Sequence, residues 1–171
     1  PWHVDTIFDW VHRDDAHGQG RAIGFCVHFA IAFTQFWTAL GGHARATLYS
    51  KDNPNCPSGH FIAEVWCTEL GKWVLLDCDF DAWFTHTDSN EALNALEVHR
   101  LVESGRAHLV EFQKGPNYGG NHWAAKNWLE DFIAHEGFMR LAWLPRNDFF
   151  SHPEDNPVEH GVIGCHHEPL Y

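Results

Sequence analysis

Positive charge is what this chain has least of. Lys and Arg number 11 against 23 Asp and Glu, a formal net charge of −12 over 171 residues. Nucleic acids and anionic membrane surfaces are held largely by cationic side chains, so neither is expected as a partner, and a neutral or basic substrate is easier to accommodate. Long apolar runs are missing as well. The longest uncharged run, around Val27 to Leu40, contains His28, Thr34 and Gln35, which excludes membrane insertion through a helix of about 20 apolar residues. No spacing of Cys and His resembles a zinc finger or a redox motif. The five cysteines are an odd set; with Cys26 reserved for chemistry, Cys56, Cys67, Cys78 and Cys165 would form two bridges or none. The chain opens at Pro1 with no initiator Met and no signal-like segment, so it is expected to be a fragment of a longer protein, of localisation that the sequence does not give. Nothing marks a second core. At 171 residues and 44% hydrophobic content, one domain can bury a full core without disulfides. Residues 20–81 carry its main motifs and 82–171 its helical, loop-rich completion.

What the chain does have is a thiol, an imidazole and a carboxylate in a telling order. Val27 to Leu40 is apolar on every face of a 3.6-residue repeat and reads as a buried central helix, preceded by Gly24 and stopped by Gly41-Gly42. Cys26 therefore falls in its first turn, where unpaired N–H groups and the helix dipole favour an anion such as a thiolate. A solitary buried cysteine is ordinarily a core residue; its partners alter that reading. Ala44 to Ser50 alternates as a strand, Lys51 to Gly59 is a turn-rich loop, and His60 to Cys67 with Trp73 to Asp77 reads as a β-hairpin turning near Gly71. Such a hairpin makes neighbours of His60 and Asp77. A carboxylate beside the imidazole fixes its tautomer and leaves the other ring nitrogen for the thiol.

These blocks, Gly24-Phe25-Cys26-Val27-His28-Phe29-Ala30, Ala39 to Arg45, Gly59-His60 with Glu64-Val65-Trp66, and Gly71 to Asp77, resemble the core of the transglutaminase-like superfamily. That superfamily includes animal transglutaminases, peptide N-glycanases and bacterial domains with a papain-type Cys-His-Asp site. The resemblance covers about half the chain. It implies an α+β fold in which a central helix bearing Cys26 packs on an antiparallel sheet bearing His60 and Asp77. It also implies acyl transfer through a thioester, with Cys26 as nucleophile, His60 as general base then acid, and Asp77 orienting His60. Asp77-Cys78-Asp79-Phe80-Asp81 would place three carboxylates on one face of a continuing strand, so Asp79 rivals Asp77; the Trp-x-x-x-Asp pattern favours Asp77. For the second oxyanion donor, Gln19 stands where papain-type enzymes use a Gln, and Trp2 offers the indole solution of transglutaminases proper.

The second half says less about chemistry. Ser89 or Asn90 would cap a helix from Glu91 to Glu103, a strand would follow within Arg106 to Phe112, and another helix would run from Asn121 to Glu136. Chain beyond Pro145 reads as irregular. Its His152, His160, Cys165, His166, His167 and Glu168 have ligand chemistry but no compact spacing, so no metal and no cofactor are expected. Of the nine tryptophans, Trp37, Trp66, Trp73 and Trp128 read as core, leaving Trp83, Phe84, Trp123 and Trp143 as candidates for a substrate wall. The expected substrate is a peptide, glycopeptide or glycan, with amide hydrolysis preferred. The alternatives are a carbohydrate-active enzyme using the same three residues, a protein-glutamine transglutaminase, and an inactive binding module.

Overall fold

The computed structural model describes residues 4–11, 26–50, 59–118 and 137–143. Among these residues three α-helices, α1 (Val4–Val11), α2 (Cys26–Ala39) and α3 (Ala95–Glu103), accompany six strands: β1 (Ala44–Ser50), β2 (Gly59–Cys67), β3 (Lys72–Asp77), β4 (Ala82–His86), β5 (Val110–Lys114) and β6 (Arg140–Trp143). The strands form one sheet in the order β5-β4-β3-β2-β1-β6, and every neighbouring pair is antiparallel. The fold is therefore α+β, built on an antiparallel sheet.

Paired residues across a ladder share a face, and the register sorts the core accordingly. One face carries Tyr49, Ile62, Leu75, Phe84 and Val110, which pack with Val98, Leu101 and Val102 of α3 and with Phe138 and Leu141. On the other side, Ala30 of α2 meets Ala46 and Phe61. Helix α1 lies on α2 through Ile7, Ile31 and Ala32, and Phe8 meets Phe36 edge-on at 5.0 Å. Helix α2 is buried along His28, Ala30, Ile31, Ala32 and Thr34, whereas Phe36, Trp37 and Leu40 near its end are exposed. Trp37 and Trp66, expected in the core, each keep 37% exposure.

The β2–β3 hairpin closes through Thr68 to Gly71, with Cys67 opposite Lys72. Gly71 has φ +61°, a left-handed conformation that glycine adopts without penalty. β3 does not continue into a row of three carboxylates, because the chain turns at Cys78–Asp81. Strands β3 and β4 then pair only at Leu76 with Trp83 and Asp77 with Ala82. Beyond that the segment before α3 wedges between them: Leu75 N–H donates to Leu93 C=O at 2.9 Å, and Leu93 N–H donates to Phe84 C=O at 2.8 Å. Its wedging is why α3 starts at Ala95 rather than Glu91. The cap is Asn94, in a reciprocal box with Glu97, and not Ser89 or Asn90. The expected helix 121–136 and the irregular chain after Pro145 lie outside the described residues.

Candidate active site

β2 begins where β3 ends, and this end of the sheet brings together the residues that the sequence singles out. In the hairpin register Ala63 faces Leu76; alternation then puts Asp77 on the face of His60 and Ile62, diagonal to His60. His60 Nε2 and Asp77 Oδ2 lie 2.8 Å apart, at 3% and 1% exposure. The other carboxylate oxygen, Oδ1, accepts the backbone N–H groups of Asp79 and Phe80 at 3.1 Å each. These bonds fix Asp77 at the turn, as an Asx side chain does when it mimics a backbone turn. The imidazole is also held by aromatic edges: Tyr49 at 5.5 Å and Phe80 at 5.5 Å between ring centroids.

Cys26 is the first residue of α2 and is partly buried. Its Sγ, a ring nitrogen of His60 and a carboxylate oxygen of Asp79 all lie within 4.8 Å of one another. With Nε2 on Asp77, Nδ1 is the ring nitrogen that remains for other partners of His60. The geometry thus divides the two carboxylates that the sequence left as rivals: Asp77 holds the imidazole, and Asp79 stands beside the thiol. Burial pulls the His60 pKa down, but the charge and hydrogen bond of Asp77, with the nearby Cys26, outweigh it and raise the value to about 10. Burial likewise pushes the Tyr49 hydroxyl well above its ordinary value, and Asp77, Cys26 and Asp79 add to the shift. A third thiol position, Cys78, is pushed up by burial and by the charges of Asp77, Asp79 and Asp81. Cys26, Cys67 and Cys78 are free thiols; Cys56 and Cys165 lie outside the described residues.

The remaining expected residues scatter. Trp2, Gln19 and Trp123 lie outside the described residues. Phe84, expected in a substrate wall, is fully buried in the core and packs on Phe112 and Phe138; alternation along β4 turns it inward, and the expectation is corrected. Trp83, one residue earlier, is 40% exposed and borders an open depression of about 460 Å³ with Thr85, Asn90 and Gln113. Trp143 donates its indole N–H to Glu64 Oε2 at 2.8 Å, which spends its polar handle on structure. Glu64 was not singled out by its sequence position as a buried hub. At 0% exposure it also accepts from Arg45 Nε at 2.8 Å and from the Ala95 N–H at 2.8 Å, tying β1, β2, β6 and the start of α3 together. The Arg45 guanidinium sits 4.2 Å from the Trp73 ring centroid and 5.3 Å from that of Trp143. A charged Glu within an apolar strand is the signal that such a hub was there.

No helix among the described residues is long and apolar enough to cross a membrane. Comparison of the chain with protein-family models, with curated proteins and with solved structures found no match.

Proposed function

We propose that the chain is a cysteine-dependent acyl-transfer enzyme of the transglutaminase-like kind, with amide hydrolysis as its reaction. The observation that carries this reading is the line of contacts through one imidazole: Asp77 at 2.8 Å on Nε2 and the Cys26 thiol within 4.8 Å of the ring. In the proposed first step the Cys26 thiolate forms a C–S bond to an amide carbonyl. The oxyanion is held by the Cys26 N–H and a second donor, and the C–N bond breaks as imidazolium His60 gives its proton to the leaving amine. Neutral His60 then takes a proton from water, the hydroxide adds to the thioester, and the C–S bond breaks to release a carboxylic acid and the thiolate. Asp77 keeps the ring oriented and stabilises its charged form. Nothing in these steps calls for a cofactor.

Two measurements test the reading. Iodoacetamide should alkylate Cys26 at neutral pH much faster than a model thiol, and His60→Ala should abolish the advantage; labelling at the model-thiol rate would leave a binding module. The protein should also be incubated with peptides, N-glycopeptides, acidic polysaccharides, and a glutamine donor with a fluorescent amine. Release of amine or ammonia with a new carboxylate, lost in Cys26→Ala, is the expected result. Incorporation of the amine would make it a transglutaminase, and turnover confined to glycans lacking an amide would overturn the thioester mechanism.

A further inference from the structure

We infer that the same end of the sheet is a zinc site, formed by Cys26 Sγ, His60 and Asp79. These three donors come from the start of α2, the start of β2 and the turn after β3, so no spacing in the sequence announces them. Their ligand atoms lie within 4.8 Å of one another. A tetrahedral zinc with bonds of about 2.0–2.3 Å requires separations of roughly 3.3–3.7 Å, so atoms at the 4.8 Å limit need to close in by roughly 1.1–1.5 Å.

Three further features match the ion. A thiol and an imidazole beside one carboxylate suit a borderline-soft cation rather than magnesium or calcium, which take oxygen ligands. Second, His60 turns its Nε2 to Asp77 at 2.8 Å, the carboxylate–histidine arrangement that orients a ligating imidazole. Third, His60 is buried while Cys26 and Asp79 keep partial exposure, so a fourth position is left for water or another ligand. Bound through Sγ, zinc would occupy the electron pair that attacks the carbonyl, so the ion would hold the thiol silent until it is withdrawn. This regulatory half rests on the acyl-transfer reading; the binding half does not.

Cobalt serves as a visible probe of the metal site. Titrated anaerobically into the reduced full chain, cobalt(II) should bind at one equivalent and give a near-ultraviolet sulfur-to-cobalt charge-transfer band, which zinc then bleaches by displacement. Cys26→Ser should lose the band, Asp79→Asn should weaken binding at least about tenfold, and Asp77→Asn about 10–100-fold. Zinc should also protect Cys26 from iodoacetamide, and dipicolinate should restore labelling. A band that survives in Cys26→Ser, or an affinity unchanged in Asp79→Asn, would place the metal elsewhere, a surviving band requiring another thiol such as Cys165 beside the histidines between His152 and His167, and overturn the inference. Asp79→Asn preserves shape, and its thermal melt reports that the fold is intact. Fast alkylation without a cobalt band would remove the zinc site and leave the acyl-transfer reading; a cobalt band with slow alkylation of the metal-free protein would do the reverse.

Discussion

His60 is buried to 3% exposure, yet its pKa is raised from 6.5 to about 10, because burial against it is outweighed by Asp77 and Cys26. A raised folded-state value means that the native state binds a proton more tightly than the unfolded chain. The stability this supplies is fully present below pH 6.5 and is lost as pH rises through about 10. Denaturant titrations across that window should show the midpoint falling with pH, and Asp77→Asn should flatten the decline. Under the proposed acyl-transfer function, the same variant should lower the turnover of an amide substrate by about 10²–10⁴-fold, the usual range for a positioned acid or base. Cys78 is the internal control. Its thiol is pushed up by burial and three carboxylates, so brief iodoacetamide treatment followed by peptide mapping should find Cys26 labelled well ahead of Cys78.

Elements here are set by alternation and by caps. Trp83 and Phe84 are adjacent in β4 but sit at 40% and 0% exposure, since successive strand residues point to opposite faces. Phe84→Ala should cost about 3–5 kcal/mol, whereas Trp83→Ala should cost less than about 1 kcal/mol, because an exposed side chain leaves no cavity. Asn94 accepts the Glu97 N–H at 2.8 Å while Glu97 accepts the Asn94 N–H at 2.9 Å. Asn94→Ala should therefore destabilise by about 1 kcal/mol, read as a lowered melting temperature. The Asn-x-x-Glu signature was in the sequence. Ser89 and Asn90 competed with it because each is a good cap by type, and only the strand-wedging segment Ala92–Leu93 decides between them. β6 had still less signal: four residues, Arg140–Trp143, gain their strand conformation from the edge that β1 offers.

The whole molecule is fastened at Glu64. Its two oxygens take donors from Arg45, Ala95 and Trp143, so one carboxylate joins three strands and a helix. Removing one member of a buried ion pair leaves the other charge uncompensated. Glu64→Ala should cost about 3–5 kcal/mol in denaturant titrations, and more than an exposed substitution such as Leu70→Ala, a site with 55% exposure. Because the hub lies two strand positions beyond Ile62 from His60, its loss should also loosen the sheet that presents the imidazole.

By itself the sequence determined the helix behind Cys26, the β2–β3 hairpin with its turn at Gly71, and the nearness of His60 to Asp77. All three follow from local periodicity, turn chemistry and a short loop, which act within about twenty residues of chain. Tertiary structure alone decided the rest. Asp79 comes to stand beside the thiol because the chain turns after Asp77 instead of extending and α2 lies against this end of the sheet; Phe84 faces inward because a six-stranded sheet and α3 close over it; and Glu64 becomes a hub because β1, β6 and α3 converge on it. Each of these depends on contacts between segments far apart in the chain, whose partners no local pattern names.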